Sequence, residues 1–247
     1  MEVHHHSVVP KKEKHFKHYL FDFLMLFLAV FCGFLAENQR EHMVEHTREL
    51  QFMRSYISDL QKDVIQLDSL IKKREERKNQ IDSLSFIFRS ADPDLYGTQS
   101  YFYARYLPRP FIYIPNDATI QQLKSSGNLR LIRKQGVTDT ILSYDQQFRF
   151  IETIRIREDQ LILRIFNHIN EFFDPAAFDQ MNTLDIEFTR PSGNPKLLTR
   201  DKKLIQQFLS ELQYLRTVNL GQLGWFKRRM ERANKIVGYI KNQYHLH

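Results

Sequence analysis

The sequence predicts a mainly all-α protein in which one N-terminal transmembrane helix is followed by an elongated bundle of long helices. The chain has 247 residues and is 42% hydrophobic, which is enough to build a packed core. It contains only 8 glycines and 8 prolines, too few for the many turns of a β-sandwich. Apolar residues also recur at steps of three and four over long stretches, which is the spacing of an amphipathic helix.

The most apolar part of the chain lies near its N-terminus. Every residue in 23–36 is apolar or small, and residues 19–36 would span about 27 Å as a helix, close to the thickness of a bilayer core. A cleaved signal peptide is the alternative, but no small-x-small cleavage site precedes Glu37. We therefore expect a retained membrane helix. The single cysteine, Cys32, lies inside it, so no intramolecular disulfide can form.

The charges on either side of this segment predict its orientation. Positively charged loops stay in the cytoplasm, and four lysines precede the segment whereas acidic residues begin its far side. The prediction is a cytoplasmic tail at 1–18, a transmembrane helix at 19–36 and a periplasmic helical domain at 37–247. The lysines are Lys11, Lys12, Lys14 and Lys17.

Small residues recur on one side of the predicted membrane helix. Ala29, Gly33 and Ala36 are spaced so that a second helix could approach closely, which favours a homo-oligomer. Small residues are also frequent in membrane helices that have no specific partner, so both interpretations stay open.

Asp22 is the one residue of the membrane segment whose side chain is ordinarily charged at neutral pH. A charge there is costly unless it reaches the interface, pairs with Lys17 or His18, or takes part in ion transfer. Residues 20–26 (LFDFLML) resemble the anchor helix of ion-driven motor stator subunits. In those proteins an aspartate near the cytoplasmic end carries the ion, so the resemblance implies an ion-coupling role for Asp22.

A long helix is predicted directly after the membrane. Its apolar residues form a seam that could pack against the same chain or against a second copy. Asp59 and Asp63 are expected on its other faces, and residues 72–78 are expected to be polar and exposed. The seam residues are Leu50, Met53, Ile57, Leu60, Val64 and Leu67.

The rest of the chain is predicted to form shorter elements and two more long helices. Residues 90–110 are expected to be a loop, and a short helix should end near Ser126 with Gly127 in the left-handed conformation. The apolar spacing predicts a second long helix over 137–172. An extended stretch is expected at 184–188. The last helix is expected to be capped by Thr199, with a separate second part from about Gln222.

Two further stretches carry a family resemblance. Residues 37–40 (ENQR) and 123–132 (LKSSGNLRLI), together with the preceding apolar helix, resemble an uncharacterised family of bacterial single-pass membrane proteins of Bacteroidetes type. The resemblance implies a Gram-negative inner-membrane anchor with a periplasmic helical domain. It implies no known activity.

Two histidine-containing stretches suggest metal binding. His42, Glu45 and His46 match an inverted zinc-protease pattern, in which two histidines one turn apart bind zinc and the glutamate is the base. Catalysis also needs a third ligand, so we expect a chance match. The cluster His4, His5, His6 could bind a transition metal or be only a polar tail. No cofactor is expected.

The charge distribution argues against a nucleic-acid partner. The net charge is +7, but the 36 basic residues are interleaved with 29 acidic ones. One basic group near the C-terminus could contact anionic lipid or form a solvated helix face. It comprises Lys227, Arg228, Arg229, Arg232, Lys235 and Lys241.

The function predicted from these features is a non-enzymatic, membrane-anchored scaffold or partner-binding protein of the bacterial envelope. Its partners would be the lipid bilayer and either a second copy or another envelope protein. The sequence contains no glycine-rich phosphate loop or nucleophile elbow. The alternatives are an ion-coupled membrane subunit that uses Asp22 and, less favoured, a zinc-dependent hydrolase at the histidine pair.

Overall fold

The computed structural model describes residues 14–183 and 187–246, and within these ranges every regular element is a helix. The predicted all-α class is confirmed. The α-helices are α1 (Lys14–Arg89), α2 (Gly97–Tyr106), α3 (Ala118–Ser125), α4 (Gln135–Gln146), α5 (Phe148–Phe172), α6 (Pro175–Asp179) and α7 (Lys202–Tyr244). Short 3₁₀ helices lie at Pro93–Tyr96 and Asn128–Leu131.

The chain divides into two compact units, Met1–Phe52 and Met53–His247. In the first unit, the described residues 14–52 belong to α1. This helix is long and apolar enough to cross a membrane, and none of the residues in its most apolar stretch is buried.

Three long helices form the core of the second unit. Helix α7 runs antiparallel to α5, because Arg164 Nε donates to Glu211 Oε1 at 2.9 Å while Glu158, earlier in α5, accepts from Gln222, later in α7. Helices α1 and α5 run in the same direction. Their common register is visible in the aromatic core, where the ring centroids of Phe88 and Phe172 are 5.0 Å apart.

Aromatic side chains join the three helices at the far end of α1. The ring centroid of Phe208 lies 4.9 Å from that of Phe88 and 5.5 Å from that of Phe172. Buried aromatic rings contribute much of the apolar area in a core, and contacts at these distances favour a fixed mutual orientation. Helix α2 adds Tyr101, whose ring meets Phe173 edge to face.

Glycine is required at two turns. Gly127 follows α3 with φ = 67°, the left-handed conformation that the sequence predicted for it. Gly97 begins α2, and a Cβ atom there would lie 2.1 Å from the carbonyl oxygen of Pro195. That contact would push the 193–197 segment away from α2.

Several predicted boundaries were wrong. The expected loop at 90–110 contains α2, because Ser100, Tyr101 and Ala104 bury one side of this segment against the core. The expected helix over 137–172 is interrupted at Gln147, which separates α4 from α5.

The last helix also differs from its prediction. Helix α7 is continuous through Gly221 and Gly224, since a helical glycine costs only about 1 kcal/mol and the surrounding residues are well buried. Its N-cap is Asp201, whose side chain accepts from Leu204 N at 2.8 Å, and not Thr199. Of the stretch expected to be extended, residues 184–186 lie outside the described residues.

Several charged residues expected to be exposed are buried. Arg74 and Arg77, from the stretch predicted to be polar, are 0% and 1% exposed. Asp59 and Asp63 are buried as well, and so is Arg229 from the basic group near the C-terminus. All five have hydrogen-bonding partners in the folded chain, which is what allows a charged group to leave water.

Candidate functional site

The residues predicted for the membrane segment are exposed on α1. Asp22 Oδ2 lies 3.8 Å from His18 Nε2, one turn earlier on the same helix. Ala29, Gly33 and Ala36 are all exposed, and a Cβ atom on Gly33 would meet no atom within 4 Å. This face of the helix is therefore open to a neighbouring molecule.

The histidine pair of the zinc-protease pattern lies on the exposed surface of α1. His42 and His46 are exposed, and His46 Nδ1 lies 3.5 Å from Glu49 Oε2. Within the described parts of the chain, no three histidine, cysteine or acidic side chains are grouped to hold a metal ion. The cluster His4, His5, His6 lies outside the described residues.

The seam residues of α1 pack within the chain. Met53, Ile57, Leu60 and Leu67 are buried, and Val64 is partly buried. Leu50 is also partly buried. The buried seam positions are thus covered by the protein's own residues, which leaves them unavailable to a second copy.

A buried charge network lies at the centre of the second unit. Glu158 of α5 accepts hydrogen bonds from Arg74 Nη1 at 2.8 Å and Nη2 at 2.9 Å, a bidentate pair. The same carboxylate accepts from Arg77 Nη1 at 2.6 Å and from Gln222 Nε2 at 2.6 Å. Asn219 of α7 accepts from Arg74 Nη1 and donates to the Arg74 carbonyl. We call these five residues the Glu158 network.

The Glu158 network also holds an irregular segment that follows α2. Arg77 Nη2 donates to the carbonyl of Arg109, and the guanidinium of Arg77 lies 4.0 Å from the ring centroid of Phe111. The Nε atoms of Arg74 and Arg77 are buried and have no hydrogen-bond partner among the residues that the structure describes. Burial lowers the pKa of Arg77 to about 10, so it stays charged at neutral pH.

Two guanidinium groups therefore share one carboxylate inside the protein. Burial alone would raise the pKa of Glu158, but the hydrogen bonds and positive charges of Arg74 and Arg77 outweigh it and hold the pKa below its ordinary value. Moving a charged group from water into the protein interior lowers the stability of the fold by several kcal/mol unless the group is paired with an opposite charge. The network is therefore suited to fixing helices in place.

A second buried network is built around Asp63 of α1. Its Oδ1 accepts from Asn116 N at 2.8 Å, and its Oδ2 accepts from the Tyr113 hydroxyl at 2.7 Å and the Tyr144 hydroxyl at 3.2 Å. Arg229 Nε donates to the Tyr113 hydroxyl at 3.0 Å, and its Nη2 lies 3.9 Å from Asp63 Oδ2. One helical turn earlier, Asp59 accepts from both the backbone and the hydroxyl of Thr119. These contacts fasten residues 113–119 to α1.

Two clefts open beside these networks. One, of about 650 Å³, has Lys73, Glu76, Tyr106, Arg109 and Phe111 among its lining residues. The other, of about 320 Å³, lies against the Asp63 network, and we call it the Asp63 cleft. Its walls include Tyr56, Asn116, Asp117, Tyr144, Asp145 and Arg229.

One pattern in the sequence indicates the Glu158 network, although the prediction of an exposed stretch at 72–78 overlooked it. Arg74 and Arg77 continue the steps of three and four from Ile71 to Ile81, so they lie on the same face as the apolar seam. A charged residue at a seam position can belong to a buried ion pair, as well as to an exposed turn of the helix. Nothing local in the sequence identifies Glu158 as their partner, because it is 84 residues away from Arg74.

No family model, curated protein or solved structure matches the chain. Its function therefore has to be inferred from its own residues.

We predict that Glu158→Gln destabilises the protein by about 3–5 kcal/mol at pH 7, because it leaves two buried guanidinium groups without a carboxylate. The pKa of Glu158 is lower in the folded protein than its ordinary value of 4.5. The ionised carboxylate therefore contributes its full stabilisation above pH 4.5, and this contribution is lost as the pH falls through the folded-state pKa. The difference in unfolding free energy between wild type and variant should thus narrow only below about pH 4.5. Urea unfolding of the full-length protein in detergent, followed by circular dichroism, measures it.

Glu75→Gln is the matched control. Glu75 forms a half-exposed pair with Lys227, so its loss should cost less than about 1 kcal/mol. Equal effects of the two substitutions would contradict the role assigned to Glu158.

Proposed function

We propose that this protein is a membrane-anchored, non-enzymatic scaffold or partner-binding protein of the bacterial envelope. One observation carries the proposal: residues 23–36 of α1 form a continuous apolar surface, of which none is buried by the described chain. An exposed apolar surface of this size is stable in lipid and unfavourable in water.

The orientation rests on charge. The lysines that precede the apolar span favour an N-terminus in the cytoplasm, so residues 37–247 would face the periplasm of a Gram-negative cell. The family resemblance of residues 37–40 and 123–132 supports the same location. The His18 contact of Asp22 supports a role at the membrane interface over the ion-coupled alternative.

The non-enzymatic role is supported by how the folded domain uses its charges. Glu158, Arg74 and Arg77 are engaged with one another, and Asp63 is engaged with Tyr113, Tyr144 and Arg229. Such contacts stabilise a rigid helical unit. The small residues on the membrane helix then offer a face for association with a second copy.

The proposed topology predicts which cysteines can be labelled from outside an intact cell. Since Cys32 is the sole cysteine, Cys32→Ala provides a cysteine-free background. In that background Ser69→Cys, at an exposed position of α1, should react with a membrane-impermeant maleimide before the inner membrane is broken.

Ser7→Cys is the matched control and should react only after lysis. The opposite pattern would contradict the orientation. A mature chain that lacks the residue-7 label altogether would show that the apolar segment is removed as a signal peptide.

The proposed homo-oligomer predicts that Gly33→Ile weakens self-association by about tenfold, or about 1.4 kcal/mol. The substitution adds a side chain to a position with no neighbour within 4 Å, so it should leave the monomer intact. Chemical crosslinking of the protein in native membranes measures the dimer fraction. Leu24→Ile, at an exposed position on the opposite side of the helix, is the control, and equal dimer fractions for both variants would contradict the proposal.

A further inference from the structure

The Asp63 cleft is bounded by five of the packed helices. Helix α1 contributes Tyr56 and Leu60, the segment before and within α3 contributes Asp117 and Ile120, and α4, α5 and α7 complete the walls. Its volume of about 320 Å³ falls within the range of cavities that hold small molecules. The polar groups that line the cleft determine which class of ligand it could bind.

Tyr56 has a hydroxyl group without a partner. The residue is only 3% exposed, yet its hydroxyl makes no hydrogen bond to any described residue. Tyr56 lines the Asp63 cleft, and its hydroxyl oxygen is not among the fully inaccessible side-chain atoms that lack a partner in the described chain. A hydroxyl group without a protein partner can hydrogen-bond a ligand instead. Burial raises the pKa of Tyr56, which keeps the hydroxyl neutral and able both to donate and to accept.

The residues that line the cleft include more carboxylates than cations. Arg229 lies against Asp63 and Lys124 pairs with Asp145, so each of these cations has a carboxylate. Asp117 has no cationic partner among the described residues, and its Oδ2 accepts only from the Gln121 side-chain amide, at 2.9 Å. One carboxylate on the wall is therefore left without a counter-charge.

Most of the polar atoms on the cleft wall that lack a hydrogen-bond partner in the described chain are acceptors. The Asn116 amide nitrogen donates to Asp63, but within the described chain no donor reaches the Asn116 side-chain oxygen. Asp117 Oδ1 is also unused. Leu60, Ile120 and Phe148 supply apolar surface between these polar groups. The matching ligand has several N–H donors at one end and a flat apolar body.

We propose that the Asp63 cleft binds a small organic monocation, an ammonium group attached to a compact apolar or aromatic body. Asp117 would hold the ammonium charge, the Tyr56 hydroxyl would accept one of its hydrogen bonds, and Phe148 would contact the body. This site is independent of the membrane-anchoring function.

Three probes of the same size and different charge test the proposal on the full-length protein in lipid nanodiscs. Tyramine carries an ammonium group, tyrosol a neutral hydroxyl and 4-hydroxyphenylacetate a carboxylate. Isothermal titration should show saturable binding of tyramine, with the other two at least about tenfold weaker. Absence of saturable tyramine binding, or equal binding of the three probes, would overturn the proposal.

Two substitutions locate the binding. Tyr56→Phe removes only an unpartnered hydroxyl, so it should lower tyramine affinity about tenfold while the thermal unfolding midpoint without ligand does not fall. Asp117→Asn keeps the oxygen that accepts from Gln121 and should lower the affinity about tenfold or more. Tyr103→Phe and Asp139→Asn, which lie outside the cleft, are the controls and should bind normally. Unchanged affinity in both cleft variants would overturn the assignment.

Discussion

The helical domain depends on a shared carboxylate: Glu158 is buried between Arg74 and Arg77 of α1. Buried charges are stable only when their hydrogen bonds are made together, so the contacts must form in a single arrangement. That arrangement fixes α5 against α1, and Gln222 and Asn219 fix α7 against both. The aromatic contact of Phe88 with Phe172 keeps the same register further along the two helices.

Carboxylates on α1 hold the irregular parts of the chain in the same way. Asp63 accepts hydrogen bonds from the segment that precedes α3, Asp59 accepts them from the first turn of α3, and Arg77 donates to the carbonyl of Arg109. A segment without regular structure has backbone groups that need partners, and charged side chains of a long helix provide them. Helix α1 therefore organises the domain through its polar residues as much as through its apolar seam.

The sequence predicted features that depend on local chemistry. The helix through Leu60 and Leu67 follows from apolar spacing, and the turn at Gly127 follows from the left-handed conformation that glycine tolerates. Features that depend on distant residues were missed. In the sequence, Arg74 and Arg77 are indistinguishable from exposed charges, because their partner Glu158 is distant along the chain. Helix α7 continues through Gly221 because many of its other residues are buried in the core.

The same limit applies to the candidate sites. Asp22 and Gly33 stand out in the sequence because a membrane helix makes polar and small residues conspicuous. The Asp63 cleft had no such signal. It is assembled from α1, α3, α4, α5 and α7, and Tyr56 differs from the equally buried Tyr144 in that its hydroxyl has no partner among the described residues.

A double-mutant cycle between Arg77 and Glu158 tests most directly whether the buried charge network holds the helices together. Unfolding free energies would be measured at pH 7 for wild type, Arg77→Met, Glu158→Gln and the double variant. Because loss of Glu158 leaves Arg77 as an uncompensated buried charge, the double variant should be more stable than the sum of the single effects by about 2 kcal/mol. Additive effects would show that the two residues do not act together, which would contradict this account.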